Sequence, residues 1–123
     1  EDLGERGDIT SEATLPEGAD ATAHLVARQA GCVAGLGAAL RAFELLDEGL
    51  AVGALVSDGD LVAEGDLLAT VTGPARSILA GERLALNLLG QLSGVATATR
   101  ALVDEVEGTG ATIVDTRKTV PLL

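Results

Sequence analysis

Alternation of apolar and polar positions defines the first strong element. Within residues 19–28, Ala21, Ala23, Leu25 and Ala27 share one face, and Asp20, Thr22, His24 and Arg28 share the other, with Val26 the exception. A period of two with one apolar face predicts a half-buried strand. Gly31-Cys32-Val33-Ala34-Gly35 reads as a short glycine-bounded strand or turn. The period then lengthens. Leu36, Ala39, Leu40, Phe43 and Leu46 recur at helical spacing, so residues 36–47 are predicted as an amphipathic helix that stops at Asp47-Glu48-Gly49. Residues 50–73 return to short apolar runs broken by Ser57-Asp58-Gly59-Asp60 and Glu64-Gly65-Asp66, the pattern of a small meander or sandwich. Pro74 suits a helical first turn. After it, Ile78, Leu79, Leu84, Ala85, Leu88, Leu89 and Leu92 make a wide apolar face over residues 74–92. Ser93-Gly94 is expected to break that helix, with Ser93 capping a second one over 95–107 that Gly108-Thr109-Gly110 ends. The β-branched residues Thr112, Ile113 and Val114 predict a final strand over 111–115.

Composition sharpens this picture. The 123 residues suit one ordinary domain, and a hydrophobic fraction of 47% is ample for a core. Phe43 is the only aromatic residue, so that core is built from Leu, Val, Ile and Ala. A net charge of −11 argues against nucleic acid or an anionic membrane as the main partner. Cys32 is the single cysteine, which excludes an internal disulfide, and its apolar neighbours make it a small buried hydrophobe. No signal peptide is visible, and the apolar runs are too short to span a membrane, so a soluble cytoplasmic protein is expected. Glu1 to Gly7 read as the tail of a helix whose start lies outside the sequence. The absence of an initial methionine suits a trimmed or incomplete amino end.

The candidate chemistry sits at the carboxyl end. There the apolar strand turns abruptly into Asp115-Thr116-Arg117-Lys118-Thr119. Lys118 is the only lysine, and two adjacent cations beside two hydroxyls suit a carboxylate or phosphate ligand. A solvated loop with an incidental Arg-Lys pair accounts for the same residues. A second candidate stripe is Arg83, Asn87 and Gln91, at i, i+4 and i+8 of the predicted helix, facing either solvent, a cleft or a partner. His24 has no second His or Cys in ligand spacing and is read as a surface residue. The Asp-Gly-Asp and Glu-Gly-Asp turns resemble the hairpins of biotinyl and lipoyl domains. Those domains modify a lysine at the hairpin tip, and this region has none, so a carrier role is set aside.

Four motifs together carry a more specific resemblance. Gly7-Asp8-Ile9-Thr10, Glu82-Arg83-x-x-x-Asn87, Ser93-Gly94-Val95-Ala96-Thr97 and Asp115-Thr116-Arg117-Lys118-Thr119 with Pro121 occur in the order and spacing found in the quinolinate phosphoribosyltransferase family, the nicotinate-nucleotide pyrophosphorylases of NAD biosynthesis. The resemblance covers essentially the whole chain. It implies an α+β architecture: an amino-terminal α/β sandwich domain over 1–109, then the first strand of a truncated α/β barrel over 110–123. It implies transfer of the phosphoribosyl group from phosphoribosyl pyrophosphate to quinolinate, giving nicotinate mononucleotide, pyrophosphate and CO₂. Mg²⁺ would accompany phosphoribosyl pyrophosphate, with its ligands outside this segment. It implies a homodimer or larger assembly with active sites shared between subunits. Arg117, with Thr116 beside it, would hold a quinolinate carboxylate, Lys118 would serve the anionic substrates, and Arg83 would reach the neighbouring subunit's site. Arg117 and Lys118 are the catalytic candidates, and no side chain is expected to act as a covalent nucleophile.

Two departures qualify the expectation. Val120-Pro121-Leu122 stands where family members carry Thr-Pro-Gly, which could alter the loop after the strand. A barrel of this type also takes roughly 200–250 residues, so with Leu123 as the last residue this chain alone is expected to be inactive and prone to association. A related type II phosphoribosyltransferase, for nicotinate or associated with molybdate transport, and a non-catalytic binding or dimerisation module are the alternatives.

Overall fold

In the computed structural model the described residues are 8–116 and 118. The expectations for Glu1 to Gly7, for Arg117 and for Val120-Pro121-Leu122 fall outside them. The order of elements is α1 (Ile9–Thr14), β1 (Asp20–Val26), β2 (Gly31–Cys32), α2 (Leu36–Leu46), β3 (Ala51–Ala54), β4 (Leu61–Val62), β5 (Leu67–Pro74) and α3 (Ala75–Glu105). This is the α+β arrangement expected, with two small antiparallel sheets, β1-β5-β3 and β2-β4.

The alternation of β1 places Leu25 and Ala27 inside and His24 outside. Its ladder with β5 shifts register once: Leu25 pairs with Ala69 and Val26 with Leu67, so Leu68 is passed over. A bulge of this kind turns two successive side chains to one side. Leu68 and Ala69 are accordingly both buried although adjacent. On the wet face, Thr22 and Thr72 hydroxyls pair across the strands at 3.0 Å.

The stripe read along α2 is the one that packs: Leu36, Ala39, Leu40 and Phe43 are buried. The helix begins at Gly35, which has no capping side chain, and the cap comes from a distant turn. Asp58 accepts from the backbone N–H groups of Gly35 and Leu36, each at 2.9 Å. A carboxylate is favoured there by the unpaired N–H groups and the helix dipole. At the other end, Asp47 accepts from the Ser77 hydroxyl and from the Gly49 N–H, tying the exit of α2 to the first turn of α3.

The helix α3 corrects one expectation. It runs unbroken for 31 residues through Ser93-Gly94, where two helices were expected. A helix-interior glycine costs roughly 0.5–1 kcal/mol against alanine, too little to end a helix held on both sides. Ser93 does not cap. Its hydroxyl reaches across to the backbone of Ala34 instead. Ile78, Gly81, Ala85 and Leu89 form the buried stripe. A second correction concerns 111–115. Residues 111–116 join no ladder among the described residues, and Val114 is 80% exposed. A strand needs a hydrogen-bonding neighbour, and β-branched composition does not supply one.

At Gly81, α3 lies close against α2. A Cβ at this position would lie 2.7 Å from the Phe43 ring. Gly81→Ala should therefore destabilise by a net of about 1–2 kcal/mol, because overpacking outweighs the gain in helix propensity. In a Phe43→Leu background the same change should be neutral or stabilising. A double-mutant cycle by urea denaturation measures both; equal costs in the two backgrounds would refute the contact.

The carboxyl of Asp47 is held below the ordinary 3.8 by the Ser77 hydroxyl first and the Gly49 N–H second, against a smaller opposing effect of burial. A depressed folded-state value means that this contribution to stability is present above the unfolded value and is lost as pH falls through the folded one. The melting-temperature gap between the parent and Asp47→Asn should thus be open at neutral pH and close below pH 3.8. A gap that stays constant with pH would contradict it.

Candidate functional site

The stripe of Arg83, Asn87 and Gln91 is exposed along α3, opposite the buried Ala85 and Leu89. Leu79, Leu84 and Leu86 around it are 44%, 54% and 45% exposed. A cation set among uncovered leucines has the character of a contact surface rather than of a solvated face.

After α3 the chain turns through Gly108 and Gly110 and leads to the predicted anion-binding residues. Thr116 and Lys118 are both exposed, and the Lys118 N–H donates to the Thr116 hydroxyl at 3.3 Å. Arg117 lies outside the described residues. Arg83 precedes the end of α3 by 22 residues, or roughly 33 Å of helix at 1.5 Å per residue.

Three concavities among the described residues are large enough to consider. One of about 570 Å³ runs along β1 and is lined by His24, Arg28, Glu64 and Glu82 among apolar residues. A mostly apolar groove of about 580 Å³ lies between α3 and β2, with Cys32, Ser93 and Thr97 in its wall. A smaller one of about 240 Å³ is lined by Asp8, Ser11 and Arg76. None of the three is lined by Arg83, Thr116 or Lys118. Of the cations singled out in the sequence, the described Arg83 and Lys118 are both exposed, one within α3 and the other beyond its end.

Among the described residues no group of three or more His, Cys, Asp or Glu side chains converges as a metal would require. No helix among the described residues is long and apolar enough to cross a membrane.

Two features hold α1 in place. Arg76 donates to the backbone carbonyls of Glu12 and Leu15 at 3.1 and 2.6 Å, pinning the end of α1 to α3. Among the described residues its buried Nε has no hydrogen-bond partner. Asp8 caps α1 by accepting from Ser11, and its carboxyl is held below the ordinary value by that hydroxyl and N–H. The cap was legible from Asp8-Ile9-Thr10-Ser11. The arginine, 61 residues from the carbonyl of Leu15, was not.

Residues 8–93 match the family described as "Quinolinate phosphoribosyl transferase, N-terminal domain". The chain belongs to this family. Quinolinate phosphoribosyltransferase [decarboxylating] 1 of Nicotiana glauca is 41% identical over 121 residues, 98% of this chain and 34% of its own length. Nicotinate-nucleotide pyrophosphorylase [carboxylating] of Mycobacterium leprae is 45% identical over 126 residues, 98% of this chain and 43% of its own. NadC of Streptococcus pyogenes superposes with a TM-score of 0.89 at 36% identity, over 94% of this chain and 42% of that one. The Francisella tularensis nicotinate-nucleotide pyrophosphorylase gives 0.89 at 34% identity, over 98% of this chain and 43% of that one. The chain thus spans less than half the length of each of these relatives. Members of the family are mixed helix-and-sheet proteins of this kind, and the α+β assignment holds.

Proposed function

We propose that this chain serves phosphoribosyl transfer to quinolinate with loss of CO₂, as the amino-terminal domain and first barrel residues of a quinolinate phosphoribosyltransferase. The observation that carries this reading is the likeness, over 98% of the chain, to a plant enzyme of that name and to a bacterial nicotinate-nucleotide pyrophosphorylase. Residues 1–109 form the sandwich domain and 110–123 begin the catalytic barrel. The rest of a site is supplied by that barrel and by a second subunit.

The residue types suit the chemistry. Quinolinate is a dianion, and guanidinium forks match carboxylates bidentately. Arg117 holds one carboxylate, Thr116 lies beside it, and Lys118 offers a compact cation to the same anionic ligands. Arg83, on its leucine-rimmed stripe, serves the neighbouring subunit's site. A hydrogen bond to a charged group is worth about 1.5–3 kcal/mol net. Two or three of them outweigh the surrounding field of a protein with net charge −11. Cations near the leaving pyrophosphate also stabilise charge as it develops. Mg²⁺ enters with phosphoribosyl pyrophosphate, on ligands outside this segment. The same reading makes the protein a cytoplasmic homodimer or larger assembly, with neither nucleic acid nor membrane as partner.

Calorimetry with quinolinate and nicotinate, on a protein that joins this domain to its barrel, tests the reading. Quinolinate should bind in preference, and Arg117→Ala should weaken it roughly ten- to a hundredfold, the equivalent of one charge-assisted pair. Equal affinity in Arg117→Ala would reject the site. Mixing inactive Arg83→Ala and Arg117→Ala proteins should recover part of the activity if sites are shared, and none if each subunit works alone.

A further inference from the structure

The motif Ser93-Gly94-Val95-Ala96-Thr97 has no role in the site just proposed, yet its two hydroxyls make the most organised contact between α3 and the rest of the chain. The Ser93 hydroxyl accepts from the Ala34 N–H at 3.0 Å and donates to the Ala34 carbonyl at 3.2 Å. The Thr97 hydroxyl accepts from the Cys32 N–H at 2.9 Å and donates to the Ser93 carbonyl at 2.7 Å. On the opposite edge of the same short stretch, Cys32 pairs with Leu61 of β4, and Val33 bonds to the backbone of Gly59 and Asp60. Cys32 and Ala34 therefore turn their backbone toward the helix, while Val33 turns away. The helix stands where another strand would pair. The spacing explains the motif: residues four apart on a helix rise about 6.0 Å, and residues two apart on a strand about 6.6 Å. Hydroxyls at 93 and 97 thus meet backbone groups at 34 and 32 in register.

Glycine makes the approach close enough. A Cβ on Gly31 would lie 2.7 Å from the Thr97 hydroxyl oxygen, and one on Gly35 would collide with the Leu92 side chain. Beyond Thr97 no residue of α3 belongs to the buried core, and Val103 is 42% exposed. Ser93 and Thr97 are thus the last place where the sandwich holds the helix before it leads to Thr116 and Lys118.

We infer that Ser93 and Thr97 are positioning residues. They form a two-hydroxyl clamp that sets the exit angle of α3 and so the place of the segment carrying Thr116 and Lys118. About 12 Å of helix follows the clamp, so a 10° change of tilt there displaces its end by about 2 Å. Errors of about 1 Å in a reacting geometry can cost about a hundredfold in rate. The catalytic half of this inference rests on the quinolinate reading, and the structural half does not.

The structural half is measured on this chain by NMR. In Thr97→Val, which keeps the shape, Cys32 amide exchange should accelerate at least tenfold. In Ser93→Ala the Ala34 amide should do the same. In both, residual dipolar couplings of residues 98–105 should cease to fit the alignment of the β1-β5-β3 sheet, and Thr97→Ser should restore the parent pattern. Couplings that keep fitting the sheet in Thr97→Val and Ser93→Ala would overturn the clamp. In the protein that includes the barrel, Thr97→Val should raise KM for quinolinate or lower kcat at least tenfold at temperatures well below its melting point, with recovery in Thr97→Ser. Altered couplings with unchanged kinetics would overturn the link to the site. Because Arg117→Ala judges quinolinate binding independently, a failed function and a failed clamp give different results.

Discussion

Close approach of one long helix to everything beneath it is the constraint on which the structure depends. The chain has a single aromatic side chain with which to fill space. A core of Leu, Val, Ile and Ala reaches interior density only if backbones come near one another. Gly81 lets α3 lie against the Phe43 ring, and Gly31 and Gly35 let it lie against β2 and the start of α2. Where the approach is apolar, shape alone holds it. Where it meets strand backbone, hydroxyls are required, because an N–H covered by a helix without a partner would lose its water for nothing in return.

That distinction governs how the two halves of α3 differ. The first half is held by a buried stripe of Ile78, Gly81, Ala85 and Leu89, a broad contact that tolerates small shifts only at the cost of cavities. The second half, from Ser93 onward, is held by directional bonds at two points and then projects with every side chain exposed. Broad apolar burial supplies most of the stability, since it scales with area. Hydrogen bonds of about 1 kcal/mol each supply orientation more than strength. The part of the helix nearest the proposed site is thus held by the kind of interaction best suited to fixing an angle.

Much of this was legible in the sequence, and what escaped has a common cause. Period-two alternation located β1, helical spacing located α2 down to the residues it buries, and Asp8 declared its cap, because each signal is contained within about ten residues. The bulge at Leu68, the capping of α2 by Asp58 and the pinning of α1 by Arg76 all join residues far apart in the chain, and no local window holds them. Ser93-Gly94 misled for the same reason. Read locally it is a break and a cap; in the fold its serine is satisfied by Ala34, 59 residues away. The strand expected at 111–115 failed differently. Its composition was judged correctly, but a strand is a property of a pair, and the described residues provide no neighbour. Of the residues expected at a site, the structure describes Arg83 within α3 and Thr116 and Lys118 beyond its end, an arrangement no local window shows.

The separation itself has a physical logic. An acidic protein that gathered its few cations into one pocket of a single subunit would neutralise them with its own carboxylates. The described ion pairs illustrate that tendency: Arg41 with Glu44 and Arg100 with Asp104 both close within one turn of helix. The acidic turns at 57–60 and 64–66 show a second use of carboxylates. The carboxylates of those turns are themselves occupied: Asp60 and Asp66 each accept a backbone N–H at 2.8 Å, and Asp58 caps α2. Much of the excess negative charge is therefore engaged in holding turns and helix ends. The fold can remain strongly acidic overall because these carboxylates serve as acceptors for its backbone.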